Sequence, residues 1–398
     1  MGRAGSNSGE RAFSIQRCVG MLHQNKHVAR EEGLKDLVAA LEGFVAAEDI
    51  TDHRYEYDQA LSRCFSFLST VGRSAKEHKD AYRAIGIYVL TVLGFEAQNI
   101  LDRLFALDRL TAELTPSSAS EAERAVAAIN CLTAVTLVCA KKAAAAKRTL
   151  KAVCEVIDQT TFPQVLAAAL SAWTLLLPRA GNLRAMTPFK VIAKHLSADD
   201  PAVRMAAGEA LAVCIERNHR PYQPDPPYLY RYHGLRPREP KPEDRPSLES
   251  RVAELAAGVD AHKKKHAEER ILFQQIKDLL EANPPGSDDQ DEYDEGEEEE
   301  EDSSGCRRVK VNKTTWVKLV LVNFLRQYLA EQGFAAHFQL NVPLFRDTLG
   351  LTRAAGGAQE KKGGVVPAQE MKQLRNGRDK QRTKEIKKDR RNKNKQYC

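Results

Sequence analysis

The chain has 398 residues, 42% hydrophobic and 29% charged, with a formal charge of only +6. That length and apolar content suffice for two or three ordinary domains with a real core, and they exclude a wholly disordered chain. The longest apolar run, Ala125 to Ala140, is broken by Asn130 and is too short to cross a bilayer; no secretory signal pattern opens the chain, so no membrane partner is expected.

The modest total conceals a strong local asymmetry. Residues 288–302 carry twelve acids in fifteen positions, and residues 372–395 carry twelve Lys or Arg against three acids. Blocks of this kind are solvated and act as interaction tails. The eight cysteines (18, 64, 131, 139, 154, 214, 306 and 398) form no C-x-x-C pair and fall mostly on apolar faces. They read as buried reduced thiols of a cytosolic or nuclear protein. The opening residues match the myristoylation pattern at Gly2 and Ser6, a short pattern that nothing else in the chain supports.

Residues 1–10 are Gly/Ser-rich and read as a flexible N-terminus; residues 11–217 are then rich in helical periodicity. Phe13 to Leu22 reads as a short helix. Glu32 to Ala47 places Leu34, Leu37, Val38, Leu41 and Val45 on one stripe. Asp58 to Val71 and Asp80 to Leu93 form the next pair, and Gly86 inside the second marks a close helix approach. Asn99 to Leu114 reads as one helix. Ser120 with Glu123 offers a capping box for a helix from Ala122 to Cys139. Lys141 to Ile157 opens with Lys141, Lys142, Lys147, Arg148 and Lys151, read first as a solvated face and second as a nucleic-acid contact. Gln164 to Leu176 carries Trp173, expected in the core, and Phe189 to Leu196 precedes the last repeat helix.

That last helix organises the rest. In Ser197 to Glu216, Asp199 or Asp200 can cap the first amides and Pro201 sits where a helix tolerates proline. Val203, Ala206, Ala207, Ala210, Leu211 and Cys214 share one face, with Arg204 and Glu209 on the other. Counting back from Ala207, similar small-apolar steps occur at Ala168, Ala128, Ala84 and Ala40, at intervals of 39, 40, 44 and 44 residues. A period of about 40–47 residues with paired helices predicts a HEAT/armadillo-like helical-repeat solenoid.

Residues 218–246 form a Pro-rich linker, with eight prolines between His219 and Pro246. A helical segment follows over 247–282, containing Lys263, Lys264 and Lys265. Residues 283–305 read as an acidic disordered insert, 306–351 as a small C-terminal helical domain, and 352–398 as a Gly-rich spacer and basic tail. The small domain has a helix from Trp316 ending near Gly333 and a second over about Pro343 to Leu349. It is too short for a large core and is expected to dock on Leu255–Leu280 or on the end of the solenoid. The pairs His23/His27 and His262/His266 have helical spacing but no third ligand, so they read as surface histidines and no metal site is expected.

Two stretches resemble the interferon-related developmental regulator family. One is Val203-Arg204-Met205-Ala206-Ala207-Gly208-Glu209-Ala210 at the end of a helical-repeat region. The other is similar to that family's C-terminal box: Trp316, Leu325, Leu329, Gly333, His337, Phe338, Gln339, Asn341, Leu344, Arg346, Asp347 and Leu349. The basic helix ahead of the box and Arg382-Thr383-Lys384 in the tail also fit; the long acidic insert and proline-rich linker depart from the pattern. The resemblance implies a non-enzymatic regulator acting either on translationally inactive ribosomes, with a C-terminal helical segment in the mRNA and tRNA path, or in transcription through protein partners.

The residues themselves offer no phosphate-binding Gly-rich loop, no G-x-S-x-G and no H-E-x-x-H, so no enzyme activity and no cofactor are expected. The tail is the stretch with chemistry. Lys372, Arg375, Arg378, Lys380, Arg382, Lys384, Lys387, Lys388, Arg390 and Arg391 are the expected phosphate contacts, with Lys263, Lys264 and Lys265 secondary. No aromatic precedes Tyr397, so base stacking and sequence-specific reading are not expected. A solubilising tail and a nuclear-import signal are the alternatives. The favoured partner is the ribosome and its RNA, in the cytoplasm and also the nucleus, with the solenoid face open to protein partners and the chain a monomer.

Overall fold

A computed structural model of the chain describes residues 8–180, 188–216, 244–257, 267–282 and 315–350. These residues are all-α, with one isolated bridge between Gly94 and Cys139 as their only strand-like pairing. The helices are α1 (Ser8–Leu22), α2 (His27–Glu42), α3 (Ala47–Asp52), α4 (Arg54–Ser69), α5 (Ala75–Val92), α6 (Gly94–Phe105), α7 (Leu110–Leu114), α8 (Ala119–Val138), α9 (Lys142–Gln159), α10 (Pro163–Leu176), α11 (Pro188–His195), α12 (Pro201–Glu216), α13 (Asp244–Ala257), α14 (Ala267–Ala282) and α15 (Trp316–Leu340). A π-helical turn, Pro343–Thr348, follows α15.

Helices α2, α5, α8, α10, α12 and α14 each pack on the next, giving one continuous row. The small-apolar steps at Ala40, Ala84, Ala128, Ala168 and Ala207 fall in the first five of these. Helices α1, α4, α6, α9 and α11 pack outside the row, each against one or two of its members. This is the helical-repeat solenoid predicted by the period. Its core is continuous because each repeat lends an apolar stripe that no single helix can shield. The α2 stripe Leu34, Leu37, Val38 and Leu41 is buried, as is Val45 just beyond it. Trp173 is 5% exposed and is a core residue.

Local signals set the helix starts. Ser74 caps α5 in a reciprocal box with Glu77. Asp200 takes the amides of Ala202 and Val203 at 2.8 and 3.1 Å, and Pro201 is the first residue of α12. The cap of α8 lies two residues earlier than predicted, and the reciprocal half of the box goes to Ser117 and not to the N-cap amide. Ser118 accepts from the amide of Glu121, whose carboxylate takes the Ser117 amide and hydroxyl. Both Ser118 and Ser120 stand three residues before a glutamate, and the earlier pair is the one used. The single helix predicted over 99–114 is two, α6 and α7, separated by a turn at 106–109.

One joint recurs along the row. The fourth residues of α2, α5 and α12 are Arg30, His78 and Arg204, and each meets a buried carboxylate of a later helix. Arg30 Nε donates to Glu77 at 2.6 Å, His78 Nε2 lies 3.4 Å from Glu113, and Arg204 donates through Nε and Nη2 to Glu269 at 2.5 and 2.9 Å. Arg30 Nη1 also reaches the carbonyls of Gln24 and Asn25, and Arg204 Nη1 those of Ala198 and Asp199. Each arginine thus ties its own helix entry to the next repeat. Arg204, on the side opposite the apolar stripe as predicted, is covered there by α14.

Burial raises the thiols of Cys64, Cys139 and Cys214 to about 12. They are protonated hydrophobes at any physiological pH. Cys306 and Cys398 lie outside the described residues.

Candidate nucleic-acid interface

The helix that crosses the row is α15. Thr315 caps it, and the carboxylate of Glu216, the last residue of α12, accepts the amides of Trp316 and Val317 at 2.8 and 3.1 Å. An anion at this position suits the positive end of the helix. From there α15 packs on α12, α10 and α2 in turn. The expected end near Gly333 falls three residues beyond the break in the helix at Ala330, and the seat is wider than the one predicted on Leu255–Leu280 or on the end of the solenoid, since α15 starts on α12 and reaches α10 and α2. Ala330 is non-helical, φ 56 and ψ 163, so α15 is two helical legs joined by a break, the first ending there and the second running on to Leu340. Gly333 is not a stop. A Cβ there would lie 3.2 Å from the Glu42 carbonyl oxygen, so glycine is what lets the second leg lie against α2.

Two polar residues lock that leg. His337 is fully buried, and its Nε2–H donates to the Leu41 carbonyl at 2.9 Å. Asn341 donates to the Leu90 carbonyl at 2.9 Å and accepts the Leu344 amide at 3.2 Å. Burial holds His337 below its usual range, so it docks as the neutral imidazole. Phe334, Phe338 and Phe345 close the end with ring centroids 5.1–5.7 Å apart. These are residues of the stretch that resembles the C-terminal box, and here their work is to seat a helix.

Mid-helix, Tyr328 meets Gly86 of α5. A Cβ on Gly86 would overlap the Tyr328 hydroxyl and lie 2.8 Å from Cζ. The close approach anticipated at Gly86 is this crossing. Elsewhere in a helix Gly→Ala stabilises by about 1 kcal/mol; here displacement of the ring reverses the sign, for a net loss of about 1–2 kcal/mol. In a Tyr328→Leu background, Gly86→Ala should become neutral or stabilising. Urea unfolding of the four chains checks this, and the same sign in both backgrounds would remove Tyr328 as the cause.

Between α5, α8, α10 and α15 lies a cleft of about 340 Å³, with Phe324 and Tyr328 at its floor and Lys79, Arg83, Asn130 and Gln164 among its walls. Lys79 faces Glu123 at 3.9 Å and Arg83 faces Glu42 at 2.6 Å, so both cations are matched. A denser basic feature among the described residues is the opening of α9. Lys141, Lys142, Lys147, Arg148 and Lys151 are all exposed, and Arg148 pairs with Asp102 at 2.7 Å.

The ten tail residues Lys372, Arg375, Arg378, Lys380, Arg382, Lys384, Lys387, Lys388, Arg390 and Arg391 lie outside the described residues, as do Lys263, Lys264, Lys265, His262, His266, Gly2, the acidic insert and the proline-rich linker up to residue 243; α13 begins at Asp244, three residues inside the predicted linker. The three lysines fall in sequence between α13 and α14, which pack on each other; α14 sets Phe273 and Ile276 against Gly208 of α12. His23 and His27 are exposed, and Arg63 reaches His23 at 2.7 Å. No group of three His, Cys, Asp or Glu is placed to hold a metal among the described residues.

A model of the interferon-related developmental regulator family matches residues 5–281, about 70% of the chain. The chain belongs to this family. No curated protein matches it. The matched span runs through the solenoid and α14, and family membership supports a regulatory role. It stops before α15, so the seat of α15 stands on its own geometry. What single-helix periodicity missed is the pairing of Glu209 with Asn323, His337 with Leu41 and Asn341 with Leu90. The available signal was two polar residues four apart, His337 and Asn341, at the end of α15 beside the apolar Phe334, Phe338 and Leu344.

Proposed function

We propose that this regulator acts on the ribosome, holding it translationally inactive by laying its basic C-terminal stretch, residues 372–395, on ribosomal RNA. The carrying observation is that stretch itself: twelve Lys or Arg against three acids, with no aromatic to read bases. Such a segment binds phosphate without sequence preference and releases counterions as it does so. The fold supports this reading indirectly. The helix row that a repeat protein would offer to a protein partner is crossed by the chain's own α15, which occupies part of that surface on α12, α10 and α2.

The test is a sucrose gradient of lysate expressing the full chain beside a chain ending at Leu351. The full chain should run with monosomes and not polysomes, and the shortened chain should stay at the top. If both stay at the top at low salt the ribosomal reading fails. A nuclear protein complex that retains the shortened chain would support the adaptor reading instead.

A further inference from the structure

We propose that the opening of α9 is a second contact for RNA phosphate, separate from the tail and built into the solenoid. This rests on the reading that RNA is the ligand class, but it concerns described residues of the fold. Lys141, Lys142, Lys147, Arg148 and Lys151 lie within eleven positions, and all are exposed. Arg148 is engaged by Asp102 at 2.7 Å and lies over the Phe105 ring. The four lysines have no carboxylate within 4 Å among the described residues. By contrast Arg30, Arg54, Lys76, Lys79, Arg83 and Arg204 each face an acid of another helix, and the exposed Lys26, Lys35 and Lys194, without such an acid among the described residues, stand apart from one another along the chain. The sequence explains the contrast, since residues 125–154 contain no Asp or Glu.

The placement of these charges disfavours the fold. Lys141 is the N-cap of α9 and Lys142 its first residue, where the helix end is already positive. Helices α5 and α8 put a glutamate in their first turn, and Asp200 caps α12. Helix α9 has no acid there and no side-chain cap. Cations held at the positive end of a helix, with no carboxylate within 4 Å among the described residues, fit an external anion better than internal stability. Ala143 and Ala144 are exposed between the lysines, so a nucleic-acid backbone can lie close. The lysines act as point charges without aromatic neighbours that stack, so contact is to phosphate and indifferent to base.

The competing occupant is the chain's own acidic stretch at 288–302, which has the right charge. RNA is preferred because close-set lysines around small side chains suit a regular row of phosphates.

The experiment uses the full chain and a fluorescent ribosomal RNA fragment, titrated over a range of salt. The variant carries Lys→Gln at 141, 142, 147 and 151. Its affinity should fall at least about tenfold at low salt, and the slope of log K against log salt should shrink by about 3, at about 0.7 for each single-strand phosphate that is no longer neutralised. Its thermal midpoint should hold or rise, because misplaced cations have gone. The matching Lys→Arg variant should bind like the parent, which excludes misfolding as the cause. Unchanged affinity and slope with an unchanged or higher midpoint would overturn the proposal and leave a solvated face. The same loss in a chain lacking 286–304 would show that the lysines meet RNA and do not act through the acidic stretch, and the absence of a loss in that chain would overturn the proposal. Neutralising Lys387, Lys388, Arg390 and Arg391 in parallel tests the tail alone, so failure of either site is read independently.

Discussion

Replacing Arg30 with alanine is expected to lower the unfolding free energy by about 3–5 kcal/mol, the usual cost of breaking a buried ion pair from one side. The Arg30 side chain is 9% exposed and that of Glu77 is 1% exposed. The arginine serves three acceptors: the Glu77 carboxylate and the carbonyls of Gln24 and Asn25. Without it, Glu77 keeps the Ser74 amide on its other oxygen, at 3.0 Å, but holds a buried charge with only Arg73 at 3.9 Å to offset it. The two carbonyls are deprived of their donor as well. The α2–α5 joint is therefore left with an uncompensated charge, which costs more than the intact pair ever contributed. A double variant, Arg30→Met with Glu77→Gln, should recover more than half of the loss, since no charge remains buried and the glutamine oxygen can still accept the Ser74 amide. Denaturant midpoints of the single and double variants decide this. A loss under about 1 kcal/mol in the single variant would mean that the pair behaves as a surface one. Arg204→Ala should fail in the same direction at the other end of the row, because Arg204 repeats the geometry with Glu269.

The row itself was legible because its signal is local and repeated. Each of Ala40, Ala84, Ala128, Ala168 and Ala207 marks a helix that must admit close neighbours, and the period carries the pairing with it. Caps were legible as chemistry but ambiguous in register; Ser118 and Ser120 differ by two residues and satisfy the same rule. The course of α15 was not legible. Gly333 has the appearance of a helix stop, yet its missing side chain serves an approach to Glu42, nearly three hundred positions away in sequence. Arg204 and Glu209 show the same limit. Periodicity identifies the apolar face of one helix and is silent about what covers the other face, and here α14 and α15 do so. The tail was recognised by composition alone, and composition names a ligand class without naming a place in the fold.

Glu209 should make the seat of α15 weaken as pH rises. It lies on α12, part-buried against α15, where burial raises its carboxyl from 4.5 to about 7 while a hydrogen bond with Asn323 pulls the other way. In the unfolded chain the group ionises near 4.5. Below that value it is protonated in both states and contributes no pH dependence. Between about 4.5 and 7 the folded chain holds a proton that the unfolded chain has lost, so stability falls with each step upward. Above about 7 both states are ionised and the full penalty stands, roughly 3 kcal/mol for the shift. Glu209→Gln should therefore match the parent near pH 4 and exceed it by roughly that amount at pH 8, with the hydrogen bond to Asn323 kept. For a described region of this size that corresponds to a rise of about 5–10 °C in the thermal midpoint. His337 acts from the opposite side. Its folded pKa is lowered below 6.5, so its contribution is lost as pH falls through the unfolded value and below, at the far end of the same helix. Hydrogen exchange of α15 amides across pH 5–8 separates the two: the first leg, near Asn323, should open faster at the alkaline end and the second leg, near His337, at the acidic end. Equal protection at pH 5 and pH 8 in the first leg would show that Glu209 is hydrated in the folded chain and that its carboxylate is stabilised there.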